Sequence, residues 1–243
     1  MRAHGRGPNE LRPLKFQRRY TRQAPGSVLV RMGRTTVLCT CCVERAVPPF
    51  LLGTGKGWLS AEYGMLPGST STRKQRDRGG KIDGRTVEIQ RLIGRSLRAI
   101  VDLEKLGEVT LWLDCDVLEA DGGTRTASIN GAFVALADAL AAYKEFFPHP
   151  TAIVKDSVAA ISVGLVKDVE LLDLDYSEDK DAEVDLNLVM TGADQFVEVQ
   201  GTGEEATFSR EQLDRLLKLG KIGIDAVTTK QREALGADWP LDS

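Results

Sequence analysis

The sequence predicts an α+β fold: two successive βα halves, each a mixed sheet packed against helices, divided near residue 150. Three observations predict it. β-rich runs and helical periodicities occur in two consecutive blocks, before and after the loop Phe147-Pro148-His149-Pro150. Ile89, Leu92, Ile93, Leu97, Ile100 and Val101 recur at three- and four-residue spacing, which makes one apolar helix stripe. Residues 126–143 are small and nearly apolar all round, the composition of a buried helix.

The elements follow in order. Val28-Leu29-Val30-Arg31 and Thr35-Thr36-Val37-Leu38 form a hairpin around Met32-Gly33-Arg34 within residues 26–43. Residues 53–81 are rich in Gly, Ser, Thr, Arg and Lys and read as a long loop carrying Arg73, Lys74, Arg76, Arg78 and Lys81. A helix runs from about 86 to 102, and the alternation from Val109 to Val117 makes a strand. In the second block, 158–166 and 169–174 pair as a hairpin, and 184–190 and 196–199 add two strands. Ser209 opens a helix, with Gln212 completing a capping box; a last, separate helix is expected at 225–235. The expected halves are residues 1–150, with the glycine turn and basic loop, and 151–243, with the acidic residues.

The chain has 243 residues and a net charge of −3, but the charge is strongly polarised. Residues 1–110 hold 21 Lys+Arg against 9 Asp+Glu, and residues 111–243 hold 11 against 26. An Arg-heavy basic half favours phosphate groups as partners, and the acidic half can supply metal-binding carboxylates. No apolar run approaches the roughly 18 residues that span a bilayer. Met1 to Arg22 is basic and polar with no apolar core, so no signal peptide is expected and a cytoplasmic protein is. Cys39 and Cys41 share a strand face and read as small buried groups; Cys115 does not complete a zinc site with them. His4 and His149 suggest no catalytic base.

Asp121-Gly122-Gly123-Thr124-Arg125 lies between a strand and a helix. Glycines let backbone N–H groups approach an anion, the helix N-terminus is electropositive, and Thr124 and Arg125 add donors. An ordinary glycine turn with a surface arginine is the alternative, since neither phosphate-loop nor dinucleotide spacing is met. Arg85 opens the preceding helix, again where an anion is stabilised. Asp173, Asp175, Glu178, Asp179, Asp181, Glu183 and Asp185 form either a Mg²⁺-suited cluster or a solvated acidic turn.

Leu113-Asp114-Cys115-Asp116-Val117-Leu118 running into Ala120 to Ile129 resembles the bacterial ribonuclease PH family. So do Gly84-Arg85-Thr86 with Glu88 to Arg95, Trp58 to Pro67, Leu11-Arg12-Pro13, Gly26 to Val30 and Val199-Gln200-Gly201-Thr202, together covering about Leu11 to Gln231. The resemblance implies an α/β sandwich of the ribonuclease PH type, assembled as a hexameric ring, a trimer of dimers. It implies removal of 3′-terminal nucleotides from tRNA precursors and other RNA 3′ ends by inorganic phosphate, releasing nucleoside diphosphates. By motif match, Arg85, Gly123, Thr124 and Arg125 would bind phosphate, while Asp179 and Asp185 would serve catalysis and Mg²⁺. Arg73, Arg76 and Arg78 of the basic loop would contact RNA. Gly68 stands where relatives often carry arginine, and Cys41-Cys42 and Glu44-Arg45 are unusual. The rival readings are an inert RNA-binding subunit of a related ring, a nucleoside phosphorylase and a hydrolytic ribonuclease.

Overall fold

The computed structural model describes residue 2 and residues 5–76, 83–147, 149–203 and 206–241. Nine strands fall into two sheets. The first contains β1 (Leu14–Arg18), β2 (Gly26–Met32), β3 (Thr35–Glu44), β4 (Trp58–Met65) and β5 (Thr110–Glu119), in the order β1-β2-β3-β5-β4. The second contains β6 (Val158–Val166), β7 (Val169–Leu172), β8 (Val184–Thr191) and β9 (Phe196–Gly203), in the order β7-β6-β8-β9. Among the described strands only β4 and β5 pair in parallel, so the first sheet is mixed. A parallel pair needs a crossover, and here it is α1 (Gly84–Ile100) followed by the short α2 (Leu103–Leu106).

The α+β expectation holds, and so do both hairpins and the capping box at Ser209. Two readings are corrected. The stretch 53–81 is not loop throughout, because Trp58 to Met65 is β4. Leu59, Ala61 and Tyr63 alternate into the core, but glycine, serine and basic residues around them dilute that signal. The separate helix at 225–235 is the C-terminal part of one continuous helix, α6 (Arg210–Leu235). Gly220 lets the helix approach the sheet: a Cβ there would fall 2.1 Å from Leu188 Cδ1. The elements β1, α2, α4 (Pro150–Ile153) and α5 (Tyr176–Lys180) escape sequence periodicity because they span five residues or fewer.

The helix α3 (Thr124–Ala142) lies between the sheets, touching β2 and β3 on one side and β6 on the other. Most of its residues are buried, as its composition requires. The buried Asn130 amide donates to the Ala160 carbonyl at 2.9 Å and accepts from the Ala160 N–H at 2.7 Å, stitching helix to sheet. Cys39, Cys41 and Cys115 are buried free thiols under this helix, and burial pushes the Cys41 thiol up out of reach of neutral pH. With α3 fixed on both sides, its N-terminus is held rigidly where the two sheets meet.

Candidate active site

At the N-terminus of α3, the turn that precedes it has positive φ at both Gly122 (76°) and Gly123 (67°). Side chains are disfavoured there. A Cβ at Gly122 would also fall 2.7 Å from the Leu174 carbonyl oxygen, so the turn packs directly on the backbone of 174–176. Thr35 Oγ1 donates to the Gly122 carbonyl at 2.6 Å and accepts from the Asp121 N–H at 2.9 Å. Arg12 closes the other side. It donates to the Asp121 carbonyl, and from Nε and Nη2 to Asp173 at 3.0 and 2.6 Å. Arg12 and Asp173 are 4% and 0% exposed; burial works against the guanidinium charge, and the Asp173 hydrogen bonds and charge outweigh it.

Among the described residues no side chain caps α3, which leaves its first amides without a side-chain acceptor. Thr124 and Tyr63 share a hydrogen bond of 2.9 Å between their hydroxyls. Burial raises the Tyr63 phenol, while Thr124, Arg85 and Arg125 act in the opposite sense. The helices α1 and α3 pack against each other, and the contact between Arg125 and Glu88 ties the start of one to the start of the other. Arg85 is exposed on the first turn of α1 and has no hydrogen-bond partner among the described residues. The Arg125 Nη1 donates to Gln200 Oε1 and to Glu88 Oε1, the latter at 3.1 Å. Its Nε and Nη2 have no acceptor among the described residues. The result is an electropositive mouth with free, fixed donors, chemically suited to a tetrahedral oxyanion.

The acidic segment divides. Asp173 is taken by Arg12; Asp175 caps α5; Glu178 pairs with Arg2 at 2.8 Å and Arg6 at 3.2 Å. These carboxylates are structural, which corrects the reading of the whole run as one cluster. Asp179 lies exposed on α5, just beyond the backbone that supports Gly122. Asp185 is the second residue of β8, opposite Thr202, and Asn187 lies opposite Gln200. Directly paired residues share a sheet face, so Asp185 and Gln200 are on the same face, the one that reaches Arg125. Among the described residues no three His, Cys, Asp or Glu side chains gather as a metal cage.

Arg73 and Lys74 line a cavity of about 830 Å³ together with Arg34, Asp121 and Tyr176. Arg76 lines a second, of about 610 Å³, with Lys74, Asp83 and Asp116. Burial, then Asp114, raises the Asp116 carboxyl, with Arg76 opposing. Arg78 lies outside the described residues. Gly68 is exposed with open space around its Cα, so it presents no cation at that point of the loop.

Arg12, Thr35, Tyr63, Glu88 and Gln200 shape this site, yet sequence reasoning gave none of them a role. One signal was available for Gln200: Asp185, Asn187, Gln200 and Thr202 alternate with residues facing the opposite way, marking a polar sheet face. The others depend on contacts between residues 37 to 161 positions apart, which no local pattern carries.

Comparison with known proteins identifies the family. Residues 10–141 match the model of domain 1 of the 3′ exoribonuclease family, and residues 156–223 match domain 2. The chain is 59% identical to ribonuclease PH of Rhodopirellula baltica over 232 residues, 93% of this chain and 94% of that one. It is 56% identical to ribonuclease PH of Bacillus subtilis, covering 99% of both. Its fold resembles the Archaeoglobus fulgidus exosome with RNA bound to the active site, at TM-score 0.78 and 22% identity, covering 94% of this chain and 92% of that one. An archaeal exosome core gives TM-score 0.72 at 21% identity, covering 94% and 89%. Full-length identity well above half and both family domains place this chain in the ribonuclease PH branch of the 3′ exoribonuclease family.

Proposed function

We propose that this chain is a phosphate-dependent 3′→5′ exoribonuclease that trims tRNA precursors and other RNA 3′ ends, and that can run in reverse as a nucleotidyltransferase. One observation carries the site assignment: the N-terminus of α3 presents Thr124 and the free side of Arg125 and packs against α1, whose first turn holds Arg85. In this reading inorganic phosphate is the nucleophile, held by the amides near Gly123 and Thr124 and by both arginines. An oxygen of that phosphate attacks the phosphorus of the 3′-terminal phosphodiester. The bond from phosphorus to the 3′ oxygen of the penultimate nucleotide breaks, and that oxygen takes a proton. The terminal nucleotide departs as its 5′-diphosphate. Two anions must meet, so the cationic clamp and fixed donors supply the first requirement.

Asp179 and Asp185 complete the reaction. Mg²⁺ usually takes one or two carboxylates and fills its remaining positions with water and phosphate oxygens, so this pair suits it without a closed cage. When bound there, it would offset charge on the transferring phosphoryl group. One of the two aspartates serves alternatively as the acid for the departing 3′ oxygen.

The RNA follows the cavities lined by Arg73, Lys74 and Arg76, with Arg78 contributing from the same loop. The two halves divide near residue 150, and the assembly is a homo-oligomeric ring, a hexamer built as a trimer of dimers. The cytoplasm, where RNA is processed, is the site of action; no helix among the described residues is long and apolar enough to cross a membrane. Retention of Arg85, Arg125, Asp179 and Asp185 disfavours the inert-subunit alternative.

Incubating the protein with a tRNA bearing extra 3′ nucleotides, with and without phosphate, tests this function. Nucleoside diphosphates appearing only with phosphate are the expected result. Nucleoside monophosphates formed without phosphate would make it a hydrolase instead.

A further inference from the structure

Tyr63 reaches the turn from the core side. Its ring is 4% exposed on the inner face of β4, and its hydroxyl meets that of Thr124 at 2.9 Å. Among the described residues each hydroxyl has only the other as side-chain partner. A hydroxyl has one proton to donate and lone pairs to accept with, so this contact has two possible polarities.

An anion at the turn chooses between them. An oxyanion offers mainly lone pairs, so it takes the Thr124 proton; the Tyr63 phenol, with Thr124 as its one side-chain partner among the described residues, then donates to the Thr124 oxygen. Burial raises the phenol, so it keeps that proton. With Tyr63 donating, Thr124 Oγ1 spends a lone pair inward and keeps its own proton for the opposite direction. That direction is the open N-terminus of α3. The opposite polarity would turn the Thr124 lone pairs outward, towards an anion that itself offers lone pairs.

We propose that Tyr63 is a positioning residue that fixes the Thr124 hydroxyl as a hydrogen-bond donor to the attacking phosphate. It thereby biases the turn towards an oxyanion rich in acceptors. The inference rests on the reading of the turn as the phosphate site. Tyr63 touches no reacting atom and acts through Thr124. A tyrosine that merely filled the core would need its ring and not its oxygen.

The test compares wild type, Tyr63→Phe, Thr124→Val and the double variant, all as full chains. Three quantities are read: KM for inorganic phosphate at saturating RNA, KM for RNA at saturating phosphate, and kcat. Phenylalanine keeps the buried ring, so the core stays filled. Loss of one oriented hydrogen bond is expected to raise the phosphate KM of Tyr63→Phe about three- to tenfold. RNA KM and kcat are expected to stay within about twofold of wild type. In the Thr124→Val background, adding Tyr63→Phe is expected to change nothing further, because the group it orients is gone.

Equal effects of Tyr63→Phe in both backgrounds would overturn the proposal, and so would a parallel rise of both KM values with falling kcat. If Thr124→Val raises the phosphate KM while Tyr63→Phe does not, the role of Tyr63 falls and the phosphate site stands. If Thr124→Val leaves the phosphate KM unchanged, the phosphate site falls, and this inference with it.

Discussion

Arg12 and Arg125 adjoin the same glycine turn but use their guanidinium groups in opposite ways. Arg12 is 4% exposed and each of its three guanidinium nitrogens donates, to Asp173 and to the Asp121 and Gly122 carbonyls. Among the described residues Arg125 donates from Nη1 alone, to Gln200 and Glu88. One is a strut that holds the turn in shape. The other is held by one corner and presents its remaining donors to the mouth. Capacity to bind an anion therefore lies in unspent, fixed donors rather than in arginine content. The same contrast separates Arg2 and Arg6, paired with Glu178, from Arg85 and Arg73, which have no carboxylate partner among the described residues.

The sharpest way to break this contrast is to remove the strut. Arg12→Met leaves Asp173, fully buried, with only the longer ion pair to Arg6 at 3.8 Å, and is expected to destabilise the fold by about 3 kcal/mol. Chemical denaturation would show it, and an unchanged midpoint would mean that Arg12 is no strut. A smaller effect is expected from the basic loop. Arg73→Ala with Arg76→Ala is expected to leave the denaturation midpoint alone and to reduce the salt dependence of RNA affinity by about one slope unit for each phosphate no longer engaged. A slope equal to wild type would place the RNA elsewhere.

The smallest expected effect concerns acid. Against opposing burial, hydrogen bonds to backbone N–H groups and Ser177 hold Asp175 below its ordinary value, and Arg2 with the Asp175 N–H does the same for Glu178. A carboxyl lowered in the folded state stabilises fully above its ordinary value, 3.8 and 4.5 here, and loses that contribution as pH falls through the folded value. Thermal midpoints are expected to drop below about pH 4.5, and to drop less steeply in Glu178→Gln. Identical profiles for the two proteins would remove Glu178 from the account.

What the sequence made legible follows from the range of each signal. The stripe of α1, the buried α3 and the alternation of β5 are local, and they appear within a few residues of their expected bounds. β4 was hidden because its alternation sits inside a stretch coloured by glycine and basic residues. At the site, the anion-binding logic of Gly122 to Arg125 is also local and could be read directly. That α1 packs against α3, with Arg125 reaching Glu88, could not, since 37 positions separate that pair. The acidic run misled for the same reason. Carboxylates look alike in sequence, and only the long-range arginines Arg2, Arg6 and Arg12 mark Asp173 and Glu178 as parts of the framework.

The most direct test of the central claim is phosphorolysis by Arg125→Ala, measured beside its RNA affinity and denaturation midpoint. Loss of a preorganised charged donor is expected to cut phosphate-dependent release of nucleoside diphosphates by about 10²–10³-fold. RNA affinity and stability are expected to stay near wild type, because Arg125 is no strut and lies off the basic loop. Undiminished phosphorolysis in this variant would contradict the assignment of the turn as the phosphate site.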